Sequence, residues 1–487
     1  MKAKVDSAGV KKPASALNGK AAALPGETSL NGQAGHRSLD GLHGTVPLPP
    51  DDAGFWRHLR AYVGPALLVS VGYMDPGNWG TDLQAGAFYR YGLLWVVALA
   101  SLMAIVMQVI SARLGVVTGK DLAQACRDYY WSWTRWPNWL LCELAIAACD
   151  LAEVLGSAVA INLLFPQIPL LWAVIITAFD VLLLLGLQGL GMRFIERVIL
   201  VLVVTIGVCY YIEIFVLPQT QPDFAEMGRA LLSPGLHDQM IVVAIGIIGA
   251  TVMPHNLYLH SALVQSRQLR ANDTAIRRSL RFFTLDTVIA LSLAFLVNAA
   301  ILVLAANVFH GKESVTTLTG HVIEFGEDTD WIVDAYLTLA PLLGTIAASI
   351  LFAVALFASG QSSTITGTLA GQVVMEGFMH WRIRPWVRRM ITRLIAIIPA
   401  ILIIGARGPG TKITDLLVLS QVVLALQLPF AMFPLLHFAS SKKWMGRYRL
   451  GWFLLGAGWL SCILITALDI YGLPDLLENA WKVIVGD

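Results

Sequence analysis

Apolar runs about as long as a bilayer crossing recur along most of the chain, and they leave little choice of fold. A helix needs about 20 mostly apolar residues to span a hydrocarbon core. Segments such as Leu93–Leu114, Phe194–Val216 and Phe282–Val308 reach that length with few charges. Only 14% of the 487 residues are charged and 56% are hydrophobic, against about 25% charged in a soluble domain. Such a chain has too little polar surface to stay in water. It reads as an all-α polytopic membrane protein.

Eleven transmembrane helices are predicted: Ala61–Ala87, Leu93–Leu114, Trp139–Leu164, Leu170–Leu187, Phe194–Val216, Met240–Val264, Phe282–Val308, Trp331–Ser359, Met390–Ile404, Leu416–Phe438 and Trp452–Ile470. Pro166, Pro169, Pro218 and Pro409 punctuate the connections. Residues 1–54 are rich in Ala, Gly, Pro, Ser and Lys, with no apolar run. They are expected to form a disordered tail, ahead of a transporter domain over residues 55–487. The tail lacks a signal-peptide core, so the first helix is expected to direct insertion. The five cysteines (126, 142, 149, 209 and 462) form no CxxC pair and read as buried small hydrophobes.

Loop charge tests the helix count and orients the chain. With eleven spans, 28 of the 34 Lys and Arg residues fall on the side that holds the tail. The opposite loops keep only Arg90, Arg229, Lys312, Arg407, Lys412 and Lys482. The positive-inside rule then places the N-terminus in the cytoplasm and the C-terminus outside a cell membrane.

Helices one and six both break in mid-membrane. One reads Asp75-Pro76-Gly77-Asn78, the other Met253-Pro254-His255-Asn256. Breakers at corresponding places five helices apart point to an inverted-repeat transporter. Repeat one would cover about 61–217 and repeat two about 239–438, with an extra helix at about 452–470. Unwound backbone at membrane depth is tolerated only beside a cavity or other protein, so both breaks should face a substrate.

The chemistry at the breaks suits a cation. Asp75 costs about 3 kcal/mol on insertion scales unless it faces a cavity or a partner. Asn78 adds an amide oxygen. Pro254 removes the amide partner of the Ala250 carbonyl, and Met253 offers a thioether, a soft donor suited to transition metals rather than sodium, magnesium or calcium. His255, one residue past the proline, suits gating or proton handling, and His260 could continue that route. Helix three carries Glu143, Asp150 and Glu153 on one face, with partners expected among Arg388, Arg389 and Arg393 of helix nine. Together they would relay protons; the plainer reading is that the arginines snorkel. Gln421 and Gln427 in helix ten and Asn298 in helix seven offer neutral oxygens, for Gln427 and Asn298 more plainly as helix-to-helix bonds. Gly360-Gln361-Ser362-Ser363-Thr364 reads as a close-packed end of helix eight. Asn272-Asp273-Thr274 matches a glycosylation acceptor but falls in a cytoplasmic loop.

The paired motifs, with Cys149-Asp150-Leu151-Ala152-Glu153 and the arginines of helix nine, resemble the Nramp family (natural resistance-associated macrophage proteins), over nearly everything after about residue 55. The resemblance implies the fold of the amino-acid and sodium symporters and proton-coupled import of Mn2+ or Fe2+, as in the bacterial manganese-transport branch. It implies metal ligands at Asp75, Asn78, the Ala250 carbonyl, Met253 and Gln421. It places proton handling at Asp75, His255, Asp150 and Glu153, with Glu143, Arg388 and Arg389 beyond. No cofactor, nucleic acid or obligatory protein partner is expected. The rival readings are a sodium-coupled symporter of a small organic solute and, further off, a membrane enzyme acting on lipid. A thioether adds nothing to sodium, and an enzyme has no need of two matched breaks.

Overall fold

The structure, a computed structural model, describes residues 38–179, 190–216, 220–318, 320–326, 329–381, 383–407 and 412–485. A short surface helix, α1 (Phe55–Tyr62), leads into α2 (Pro65–Gly72) and α3 (Pro76–Tyr89). Then follow α4 (Leu94–Thr118), α5 (Leu122–Tyr129), α6 (Arg135–Leu164), α7 (Leu170–Thr177), α8 (Met192–Tyr211) and α9 (Phe224–Leu232). The second half holds α10 (Ile241–Val252), α11 (Pro254–Leu263), α12 (Asp273–Val308), a hairpin of β1 (Ser314–Thr316) and β2 (Val322–Glu324), α13 (Trp331–Leu343) and α14 (Ile346–Met379). It ends with α15 (Pro385–Arg407), α16 (Ile413–Ser440) and α17 (Trp452–Val485).

Among the described residues, eight helices are long and apolar enough to cross a membrane. The chain is therefore a helical, multi-pass membrane protein. The first expected span is split between α2 and α3, each too short to cross alone. The fourth starts as α7, and its continuation lies outside the described residues. The ninth corresponds to α15.

Packing sorts the helices into two groups. α12 packs on α2, α3 and α4, and α10 and α11 pack on α4. Separately, α6 packs on α7, α14 and α15. α16 contacts both groups, through α10 and α6, and α17 lies on α16. The broken helices thus belong to one group and the acidic helix α6 to the other, with the breaks at the seam.

Two expectations about organisation need correcting. The eighth span is not Trp331–Ser359. Gly344 ends α13 in the left-handed region at φ 68°, and Thr345 caps a new helix, α14, by accepting from the Ala347 amide. Apolar residues on both sides hide this stop from a hydropathy count. The run 360–364 then lies inside α14 rather than at its end. Nor is the whole tail loose. Residues 1–37 lie outside the described residues, but Val46 pairs with the segment after α11, its amide on the Ser266 carbonyl at 3.0 Å and its carbonyl on the Gln268 amide at 3.0 Å. The Leu39 amide reaches Glu376 Oε2 of α14 at 2.8 Å, and Leu39 and Val46 are buried. Two apolar anchors and backbone pairing suffice where composition alone argued against order. Asn272 is the N-cap of α12, accepting from the Ala275 amide at 2.7 Å.

Candidate metal centre

Asp75 caps α3 and Pro76 occupies its first turn, so the polar residue and the proline that break the helix also start the next one. The chain between Gly72 and Pro76 frees two carbonyls. Tyr73 O accepts from Asn298 Nδ2 at 2.8 Å, and Met74 O accepts from the Ser359 hydroxyl. At the other break Met253 sits at φ 27°, ψ 107°, an uncommon conformation for a side-chain-bearing residue and one of the costly kind found at functional sites.

The two breaks face each other. A methyl at Gly72 would lie 3.3 Å from Met253 Sδ and 2.4 Å from Asn256 Nδ2. Asn78 Nδ2 donates to Asp75 Oδ1 at 2.7 Å and to the Ala250 carbonyl at 3.2 Å. Asn78 Oδ1 takes Asn298 Nδ2 at 3.2 Å. An amide donor therefore stands where a carboxylate oxygen and a freed carbonyl converge. Turning that amide would add a third oxygen at the same point. Gln421 closes the fourth side. A methyl at Gly77 would lie 1.7 Å from Gln421 Nε2, and one at Gly249 would lie 2.2 Å from the Gln421 carbonyl. Gln427 instead lies beside Tyr258.

Burial makes the electrostatics one-sided. Asp75, Asn78, Ala250, Met253 and Gln421 are all buried. Asp75 Oδ2, Gln421 Oε1, Asn298 Oδ1 and Asn256 Oδ1 have no hydrogen-bond donor. Buried acceptors left without donors are rare and costly, and a cation beside Asp75 would satisfy its Oδ2. Among the described residues no three His, Cys, Asp or Glu side chains gather to hold a metal. The donor set has one carboxylate, neutral oxygens and a thioether, which suits an ion held in transit rather than one held permanently.

The acids of α6 lie next to this centre. Pro76 packs against Gly156, where a methyl would come within 2.2 Å of the Pro76 Cβ. Glu153, one turn back, accepts from the Ser363 hydroxyl at 2.9 Å and the Thr364 hydroxyl at 3.1 Å. Arg393 Nη1 stands 3.8 Å from Glu153 and donates to the Asp150 carbonyl at 3.4 Å. Further out, Arg388 pairs with Glu143 at 2.7 Å. The inner arginine is thus Arg393; the side chain of Arg389 lies outside the described residues. Ser363 and Thr364, expected only to pack, are partners of Glu153.

His255 is buried and within electrostatic reach of Asp150. His260 takes another direction. Its Nδ1 pairs with Gln108 Oε1 at 3.0 Å, and Gln108 Nε2 donates to the Tyr73 hydroxyl at 2.7 Å. That chain returns to the first break along α4 instead of running to α6. Gln108 and Tyr73 carried no signal in the sequence beyond a polar atom in an apolar helix. Two further buried acids, Asp82 on α3 and Glu213 after α8, belong to no motif in the sequence; both lie in electrostatic reach of Tyr210.

Residues 66–475 match the family model described as natural resistance-associated macrophage protein-like. The chain belongs to the Nramp family. Two Nramp relatives bear the name divalent metal cation transporter MntH. The one from Nostoc sp. is 48% identical over 91% of this chain and 96% of its own. The one from Bradyrhizobium diazoefficiens is 47% identical over 91% and 95%. A crystal structure of the Eremococcus coleocola manganese transporter superposes at TM-score 0.79 with 37% identity, covering 92% of this chain and 96% of that one. Mhp1, a nucleobase-cation-symport-1 family transporter, shares the fold at TM-score 0.54 and 14% identity. All five cysteines of this Nramp chain are buried.

Proposed function

We propose that this Nramp chain imports divalent transition-metal ions, Mn2+ or Fe2+, across the cell membrane by alternating access, coupled to protons. The observation that carries the reading is the convergence of Asp75, Asn78, the Ala250 carbonyl, Met253 and Gln421 at two facing helix breaks. The names of its MntH and manganese-transporter relatives point the same way. The chain is read as eleven spans, two five-helix repeats of inverted topology and an added helix, with the arginine-rich side in the cytoplasm. It acts as a transporter and not as an enzyme.

In this reading the metal replaces the Asn78 amide hydrogens between Asp75 and Ala250. Met253 favours ions that accept sulfur, which separates this site from one for sodium and an organic solute. Two positive charges beside Asp75 would favour its ionised form, so a proton held there would leave on metal binding. Glu153, in electrostatic reach of Asp75, would take that proton, with Asp150 and His255 as further acceptors and Arg393, Glu143 and Arg388 beyond them. The test is manganese uptake by purified protein in liposomes across a set pH gradient. Wild type should take up manganese and acidify the lumen, and Asp75→Ala should do neither while inserting normally. Wild-type manganese rates in Asp75→Ala would overturn the site.

A further inference from the structure

A pocket of about 440 Å3 opens on the arginine-rich side, away from the metal centre. Arg113 of α4, Arg277 and Arg281 of α12, and Arg447, Tyr448 and Arg449 of the segment before α17 line it. Five guanidinium groups around one cavity repel each other, so the arrangement needs negative charge. The acid that pairs within this cluster is Asp273, 3.1 Å from Arg277 and 2.8 Å from Arg447. It also takes the Tyr448 hydroxyl. One carboxylate shared by two arginines leaves Arg113, Arg281 and Arg449 uncompensated. Arg113 donates from Nη1 to the Tyr448 carbonyl at 3.4 Å, while its buried Nε has no acceptor. Arg281 and Arg449 are exposed and have no ion-pair partner among the described residues.

The position matches the charge. The pocket lies where α4 and α12 leave the apolar layer. Trp452 and Phe453, three and four residues past Arg449, are 86% and 68% exposed, as aromatic residues are at a membrane–water boundary. A guanidinium fork matches phosphate oxygens two at a time. Basic pockets between membrane helices on the cytoplasmic side hold anionic headgroups.

We propose that this pocket binds a phosphate group at the membrane surface, either on an anionic phospholipid or as a free phosphate or pyrophosphate. Binding would tie together α4, α12 and the α16–α17 connection. The proposal does not depend on which ion the chain carries.

Purified protein is titrated with phosphatidylglycerol, cardiolipin and phosphatidylcholine under native mass spectrometry, and with inorganic phosphate and pyrophosphate by calorimetry. The Arg281→Gln/Arg449→Gln double variant is run in parallel. Anionic lipid should bind better than phosphatidylcholine, and the double variant should lose about tenfold in affinity. If pyrophosphate or phosphate binds with the same arginine dependence and lipid does not, the soluble anion is the ligand. Arg281→Lys/Arg449→Lys keeps the charge but loses the fork, and should fall between wild type and the Gln variant; it also serves if the Gln variant fails to fold. Equal binding of wild type and variants to every anion, or no preference for anionic lipid and no anion binding, would overturn the proposal.

Discussion

Gly77 and Gly249 confine Gln421 from two sides, and the contacts differ in what they forbid. At Gly249 an added methyl meets the Gln421 backbone oxygen at 2.2 Å and the Ala425 Cβ at 2.8 Å, and neither can swing away. Gly249→Ala gains up to about 1 kcal/mol of helix propensity but overpacks the interface, at a typical cost of 1–3 kcal/mol. We expect a lower melting temperature in detergent and loss of manganese uptake; an unchanged melting temperature would show that α10 and α16 can separate freely. At Gly77 the methyl meets the Gln421 side chain, from Nε2 at 1.7 Å to Cγ at 2.9 Å, and that side chain can turn away. Gly77→Ala should therefore keep the fold and weaken metal binding, read as a raised KM for manganese with an unchanged melting temperature. Met253→Ala tests a different term. Without sulfur the remaining donors are oxygens, which suit calcium and magnesium. Calcium should compete about tenfold better against manganese uptake in this variant, a shift of about 1.4 kcal/mol. Equal competition in mutant and wild type would reduce the thioether to packing, as part of the small cluster it makes with Ala145, Cys149 and Leu424.

At the scale of elements, α6 and α14 meet along a polar seam that neither sequence segment announces alone. Glu153→Gln keeps the shape and both hydroxyl partners on α14 but removes the charge facing Arg393. If the pair relays protons, proton influx should fall about tenfold, about 1.4 kcal/mol of barrier, and manganese influx should fall less. Equal loss of both fluxes, recorded in the same liposomes, would make the seam structural. The breaks in helices one and six were legible because proline and polar residues interrupt long apolar runs, and nothing else explains Asp75 at that depth. Ser363 and Thr364 were not, because hydroxyls inside helices commonly bond back to their own carbonyls. Thr366 and Thr368 nearby do so at 2.9 and 2.8 Å. Which hydroxyls turn outward depends on a neighbouring helix. The position of Arg393 had the same origin: the sequence placed Arg388, Arg389 and Arg393 together near the acids, and the packing of α15 against α6 put Arg393 beside Glu153. The α13–α14 stop depended on one glycine in the left-handed region.

Across the whole molecule, a buried ion pair and its hydrogen bonds on the arginine-rich side hold the chain just ahead of α2. Arg267, fully buried, donates to Glu196 at 2.8 Å, to the Val63 carbonyl at 2.7 Å and to the Ala61 carbonyl at 3.2 Å. Arg193 holds the same two carbonyls at 3.0 and 2.7 Å. Asp286 of α12 accepts from the Ala66 amide at 3.0 Å. The docked tail lies over these contacts, with Val46 bridged to Arg267. In the transport cycle proposed above, opening of the basic side by movement of α2 would break these bonds. Removing one partner of a buried ion pair costs the closed form about 3–5 kcal/mol. A form in which the pair is already open does not bear that cost. Arg267→Ala should therefore shift the population toward opening on the basic side. Cys149 supplies a native reporter, since it is buried against Met253. With Cys126, Cys142, Cys209 and Cys462 replaced by alanine, a membrane-impermeant maleimide added to the basic side should label Cys149 slowly. Arg267→Ala should speed that labelling by about tenfold or more, a population shift of at least 1.4 kcal/mol, with manganese slowing it by occupying the centre. Equal labelling rates with and without Arg267, at equal thermal stability, would mean that another contact holds this side shut, and Asp286→Asn would be the next contact to open.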